Sequence, residues 1–138
     1  ASDGAIREFI KDGDFENRAY DFVNAFFGAV ESVFGSEWIG MSPKTSRLRH
    51  GAGIVAMGFV MEFLYSSEGA TTRPEFERNL ELLKKYTAWT SGQWRLAPDD
   101  ERPWNGIQNT PSDIDLLTNY LVRSMKRALR QPRQVANS

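Results

Sequence analysis

The clearest pattern of apolar and polar positions lies between Phe15 and Phe34. Apolar residues recur there at spacings of three and four, at Phe15, Ala19, Phe22, Val23, Phe26, Val30, Val33 and Phe34. This spacing places them on one face of a helix, and charged residues such as Arg18 and Glu31 lie off that face. The pattern predicts an amphipathic helix that ends near Gly35, because glycine commonly follows the last helical residue.

A second stretch, residues 44–65, is apolar almost all the way round from Leu48 onward. Ser42-Pro43 is typical of a helix start, since serine caps helices and proline fits the first turn. A helix without a polar face is expected in the centre of a core. We therefore expect Val55 or Phe59 to be fully buried, and the small residues of this helix to let its neighbours approach closely.

Two further helices follow in the sequence. Pro74 opens one that Ser91-Gly92 should end, and Thr110-Pro111 opens the last one. The last helix carries an apolar stripe at Ile114, Leu117, Leu121, Met125 and Ala128, and Pro132 is its expected stop. Residues 92–109 contain several helix breakers and no pattern that convincingly predicts a strand.

These elements predict an all-α fold, a compact bundle of four to five helices around the central helix of residues 44–65. Residues 1–131 should form one domain, followed by a flexible tail at 132–138. The composition agrees with this prediction, because 138 residues with 41% hydrophobic and 25% charged side chains are typical of a single globular domain. The chain begins without methionine, which is typical of a piece cut from a longer protein.

Few chemistries remain open to this composition. Without cysteine the chain has no disulfide, thiolate metal site or cysteine nucleophile, and a single histidine, His50, is too few for a zinc or di-iron site. We expect no metal and no cofactor. Ser46 lies one turn before His50, but nothing supplies the acid and oxyanion site that catalysis needs, so a structural histidine and a non-enzymatic protein are favoured.

Two other patterns have simpler explanations. Gly51-Ala52-Gly53 loosely matches a dinucleotide-binding loop, but that loop requires a preceding strand, so close packing is favoured. The acids Asp99, Asp100 and Glu101 do not have the spacing of a calcium loop and are expected to be solvated.

The sequence predicts no membrane segment. The longest apolar run, residues 51–61, is shorter than the roughly 20 residues that a membrane-spanning helix needs. The first eleven residues are charged and do not resemble a signal peptide. A cytoplasmic location is expected.

The charge is unevenly distributed along a chain whose net charge is −1. Residues 1–37 carry three basic and eight acidic residues, a net charge of −5, whereas residues 119–138 carry five basic residues and no acid. Four of these, Arg123, Lys126, Arg127 and Arg130, form a basic ridge opposite the apolar stripe of the last helix. Two interpretations stay open: a solvated face that favours the helix C-terminus, or a surface for nucleic acid or an acidic protein.

Aromatic and basic residues also cluster before the last helix. Trp89, Trp94 and Trp104 fall within sixteen residues, interleaved with Arg95 and Arg102. Large aromatic side chains usually serve packing, and folding this irregular segment onto the core is the favoured explanation. The alternatives are a ligand pocket lined by Trp89, Trp94, Arg95 and Trp104, stacking on bases, or an anchor for a protein partner.

Two segments resemble a known protein family. Residues 45–61 (TSRLRHGAGIVAMGFVM) and 104–108 (WNGIQ) are similar to the helical C-terminal region of DGQHR-type bacterial proteins, which are linked to DNA modification and defence. The DGQHR motif is itself absent from this chain. The resemblance implies a DNA-related context and assigns no site residue here.

The leading functional hypothesis is a non-enzymatic helical interaction domain whose basic last helix faces nucleic acid or an acidic protein. One alternative is a small-ligand-binding or enzymatic domain with a pocket near the tryptophans. Another is an oligomerisation domain, because Phe27 lies beside the main stripe of its helix and would be exposed.

Overall fold

A computed structural model describes Ala5 and residues 15–131, and the tail at 132–138 lies outside this part. Five α-helices and one two-stranded antiparallel hairpin make up the described fold. They are α1 (Phe15–Val33), α2 (Gly35–Trp38), α3 (Gly51–Glu68), α4 (Arg73–Leu83), β1 (Gln93–Ala97), β2 (Asp100–Pro103) and α5 (Pro111–Arg130). Single 3-10 turns follow α4 (Lys84–Tyr86) and β2 (Trp104–Gly106). The predicted helical bundle is confirmed, with the hairpin as an addition.

The helices pack in two main pairs, α1 against α4 and α3 against α5. Between the first pair, Phe76 of α4 meets Phe22 and Phe26 of α1 edge-on, at ring-centroid distances of 5.8 and 5.1 Å. Phe26 and Phe76 are fully buried and Phe22 nearly so. These residues of the predicted α1 stripe thus form one side of the core, whereas Val23 of the same stripe is exposed.

The predicted start of the central helix is wrong. The helix begins at Gly51, and the segment around Ser42-Pro43 consists of turns. The Thr45 hydroxyl accepts a hydrogen bond from the Ser42 backbone N–H at 2.9 Å, and such local bonds compete with helix formation. The Arg47 N–H donates to the carbonyl of Trp89 at 2.9 Å, which ties this segment to the chain after α4.

The predicted burial of Val55 or Phe59 is also wrong. The α3 face that packs against the core carries small and aliphatic residues, including Ala52, Ala56, Val60 and Leu64. On the rest of its circumference Ile54, Val55 and Phe59 remain 39%, 43% and 49% exposed. The helix α3 is therefore apolar on all sides, although the rest of the protein surrounds it only in part.

The helix α4 begins as predicted and ends earlier. The Thr72 hydroxyl accepts from the Glu75 N–H while the Glu75 carboxylate accepts from the Thr72 N–H at 3.1 Å, a reciprocal cap. The predicted stop at Ser91-Gly92 is wrong, because the helix ends at Leu83 and the 3-10 turn that follows it ends at Tyr86. There the Thr87 N–H and hydroxyl both donate to the Lys84 carbonyl.

The hairpin is the element that the sequence prediction missed. β1 and β2 pair with Trp94 opposite Arg102 and Arg95 opposite Glu101. Trp94 and Leu96 are buried while Arg95 between them is exposed, the two-residue period of a strand with one buried face. The strands are five and four residues long, too short to stand out among prolines and glycines.

None of the helices in residues 15–131 is both long enough and apolar enough to span a membrane.

Candidate anion-binding groove

The helix α5 begins where the sequence predicted. The Thr110 side chain accepts a hydrogen bond from the Asp113 N–H at 3.2 Å, and Pro111 occupies the first turn. Leu117, Leu121 and Met125 are fully buried on the inner face. The opposite face of the same helix therefore lies at the surface.

That outer face carries the predicted basic ridge, and Arg123, Lys126, Arg127 and Arg130 are all exposed. Within the described residues none of the four forms an ion pair with a carboxylate. Two are held by other contacts: the Arg123 guanidinium donates to the Leu96 carbonyl at 2.9 Å, and the Lys126 ammonium lies 5.7 Å from the ring centre of Phe63. The ridge thus carries positive charge that no acidic side chain among the described residues neutralises.

The hairpin lies beside this ridge and encloses a groove of about 690 Å³ with it. One side consists of α5 and the other of β1, its turn and Glu101 of β2, with Tyr86 also in the lining. The complete lining comprises Tyr86, Arg95, Leu96, Ala97, Pro98, Glu101, Tyr120, Arg123, Ser124, Lys126, Arg127 and Arg130. We call this cleft the basic groove.

The lining of the basic groove is strongly positive. It contains five basic side chains and one acidic side chain, a net charge of +4 on a protein of net charge −1. The acid, Glu101, pairs with Arg95 across the hairpin at 2.8 Å. Because the Arg95 side chain is 84% exposed, this pair is weak and can yield to a competing anion.

The floor of the groove is held in place by Tyr120. Its hydroxyl donates to the Tyr86 carbonyl at 2.6 Å, and its ring meets that of Trp94 edge-on at 5.9 Å. Burial raises the pKa of the Tyr120 phenol, so the group stays neutral at physiological pH. The floor thus adds no negative charge to the groove.

The tryptophans lie behind the groove. Trp89 and Trp94 are buried in the core with their ring centroids 4.9 Å apart, and the Trp94 indole N–H donates to the Trp104 carbonyl at 3.2 Å. Trp104 is half-buried, with the Arg47 guanidinium 5.9 Å from its ring centre. Of the four residues proposed for a tryptophan pocket, only Arg95 lines the basic groove.

Arg102 neutralises acids behind the hairpin. Its guanidinium contacts Asp100 and Asp113 at 2.9 Å each, which fixes β2 to the start of α5. Burial alone would raise the pKa of Asp113, but hydrogen bonds from Arg102 and from the Gln108 N–H hold that pKa below its usual value. Within residues 15–131 no group of acids and histidine is arranged to hold a metal ion.

His50 caps a helix in this structure. Its Nδ1 accepts a hydrogen bond from the Ala52 N–H at 3.3 Å at the start of α3. Burial and the nearby charge of Arg47 lower the pKa of His50, which favours the neutral form that can accept this bond. The Ser46 hydroxyl is buried and accepts from the Leu48 N–H at 3.2 Å, so each side chain is bonded to backbone.

Tyr86, Leu96 and Tyr120 line the groove and were not predicted from the sequence. Tyr120 stands three residues before Arg123 and so continues one flank of the ridge, a signal that the sequence does contain. Tyr86 and Leu96 enter through the fold of the chain between α4 and α5, which no local pattern specifies.

No known protein family matches the chain, and no curated protein or solved structure is detectably similar to it. The basic groove is therefore the feature that points to a function, and the resemblance to DGQHR-type proteins stays a prediction.

Proposed function

We propose that the chain is a non-enzymatic interaction domain that binds nucleic acid through phosphate groups in the basic groove. The observation that carries this proposal is the row of exposed arginines on α5 facing Arg95 across a concave cleft of net charge +4. Guanidinium groups bind phosphate through paired N–H donors, which favours arginine wherever phosphate is bound.

The length of the ridge sets the number of phosphates. Arg123 and Arg130 are seven residues apart on one helix, which corresponds to about 10 Å at the helical rise per residue. Phosphates of one DNA strand follow each other at about 3.4 Å along the axis, so the ridge spans about three of them. Affinity should depend on salt because phosphate groups are neutralised, and it should be weak because the acidic residues 1–37 repel the same ligand.

The test is the salt dependence of DNA binding to the intact chain, measured by fluorescence anisotropy between about 50 and 200 mM salt. Arg127→Ala should weaken binding on all sequences alike and reduce the slope of log affinity against log salt by about one. Arg78→Ala removes an exposed arginine of α4 that does not line the groove, and it is the matched control. If neither DNA nor RNA binds even at low salt, the nucleic-acid proposal fails and an acidic protein remains as the proposed partner.

A second candidate function is self-association through α3. The observation that favours it is the exposure of Ile54, Val55 and Phe59 on that helix. Phe27, on which the sequence argument for oligomerisation relied, is instead half-buried between Phe26 and Trp38.

Sedimentation velocity over a range of concentrations tests this second function. A dimer that Phe59→Ser dissociates would support it, and a monomer at the highest concentration would exclude it.

A further inference from the structure

We infer that the basic groove takes a single nucleic-acid strand in preference to a duplex. This inference rests on the proposed function and concerns the same site. It follows from the shape of the groove, from the chemistry of its two sides and from the way in which the ridge is held on both flanks.

A helix that enters the major groove of DNA has to project from the surface of its protein, and α5 does not project in this way. The major groove is about 12 Å wide and admits one helix, itself about 10–12 Å across with its side chains. On one flank of α5 the Arg123 guanidinium contacts the Leu96 carbonyl of β1 at 2.9 Å. On the other flank Lys126 reaches Phe63 of α3. Neighbouring elements on both flanks therefore hinder a duplex from surrounding this helix, whereas a single strand needs no such clearance.

The two sides of the groove differ in chemistry. The α5 side supplies Arg123, Arg127 and Arg130, whereas the opposite side combines the apolar surfaces of Ala97 and Pro98 with the exposed ion pair of Arg95 and Glu101. Tyr86 is a half-buried residue of the same lining, and the Lys85 ammonium lies 5.3 Å from the centre of its ring. In an unpaired strand the phosphates bind cationic side chains, and the uncovered bases bind apolar or aromatic surfaces at a different place along the nucleotide. In a duplex the base faces are already stacked on one another.

The inference predicts a magnitude. If Arg123, Arg127 and Arg130 each neutralise one phosphate of a single strand, the slope of log affinity against log salt should be about −2, from about 0.7 for each phosphate. Contact of one base with the apolar side is expected to make the single strand bind about tenfold more tightly than a duplex at equal salt.

The experiment compares two probes on the intact, unmodified chain: an oligothymidine of about 15 nucleotides and the same strand annealed to oligoadenosine. Anisotropy titrations at low salt give both affinities. Tighter binding of the single strand supports the inference. Equal or tighter binding of the duplex overturns it and leaves the proposed function intact, whereas failure of both probes and of an RNA strand of the same length to bind refutes the proposed function itself.

A variant without a charge change tests the cleft directly. Ala97→Asn replaces an apolar contact of the groove by a polar amide, and Gln93→Asn places the same side chain at an exposed position of β1 outside the lining. The first should weaken single-strand binding about tenfold and the second should leave it unchanged, with circular dichroism confirming that both fold. Equal affinities of the two variants would overturn the inference. Equal competition by polyglutamate would do so as well, because it would show that charge alone suffices.

Discussion

Replacing Gly53 by alanine should destabilise the protein, although the same change stabilises most helices. Gly53 lies in the first turn of α3 against the preceding turn of the chain. A Cβ at this position would lie far inside van der Waals contact of the Arg47 carbonyl oxygen, 2.9 Å from its carbonyl carbon and 3.1 Å from the Leu48 Cα. All three are backbone atoms, so no side chain can rotate away to relieve the clash.

Gly58 provides a matched control on the same helix. A Cβ added there meets nothing within 4 Å, so Gly58→Ala should stabilise the protein by about 0.5–1 kcal/mol through helix propensity. For Gly53→Ala the same gain is outweighed by overpacking, which typically costs about 1–3 kcal/mol and more where backbone must move. We expect a net loss of about 2 kcal/mol, so the two substitutions should differ in sign.

Urea denaturation followed by circular dichroism measures both free energies of unfolding. The Gly53→Ala change should also affect the segment that Arg47 ties down, because its guanidinium donates to the Ile107 and Asn105 carbonyls at 2.9 and 2.8 Å. A Gly53→Ala variant as stable as the parent, or more stable, would refute the close approach of these two backbones. Equal destabilisation by Gly58→Ala would show that other atoms pack against α3 at Gly58, where the structure has none within 4 Å of an added Cβ.

Three further predictions use the same assay. Phe59→Ala should cost less than about 1 kcal/mol because the side chain is half-exposed, whereas Phe76→Ala in the core should cost about 3–5 kcal/mol. Thr72→Ala removes the α4 cap and should cost about 1 kcal/mol, and a neutral result would mean that the cap does not form in solution. The lowered pKa of His50 means that the unfolded chain binds a proton more readily, so stability should be constant above about pH 6.5 and fall below it; His50→Asn should reduce this fall.

Helices were predictable where polar and apolar residues alternate with the helical period. The start of α5 at Thr110-Pro111 and the opening of α4 at Pro74 depend on local capping chemistry, which the sequence displays directly. The end of α4 was not predictable in this way. It depends on the Thr87 contacts with Lys84 and on the tie between Trp89 and the Arg47 segment, which is distant in sequence.

The central helix shows how hydrophobicity can mislead. Its apolar residues predicted complete burial, but the degree of burial is set by how many neighbours surround a helix, which is a property of the whole fold. The small residues were informative in a different way from that expected. Contact with the chain just before the helix requires glycine at position 53. The close packing is therefore against a turn, whereas it was predicted against neighbouring helices.

The basic groove results from two amphipathic patterns and one contact between them. Alternation along β1 buries Trp94 and Leu96 and so turns Arg95 outward, while the apolar stripe of α5 turns Arg127 outward by the same logic. Packing of Trp94 against Tyr120 then sets the two elements side by side. Each pattern is present in the sequence, but their juxtaposition is not. The arginine among the tryptophans and the basic ridge, which the sequence presents as separate candidates, therefore line one surface.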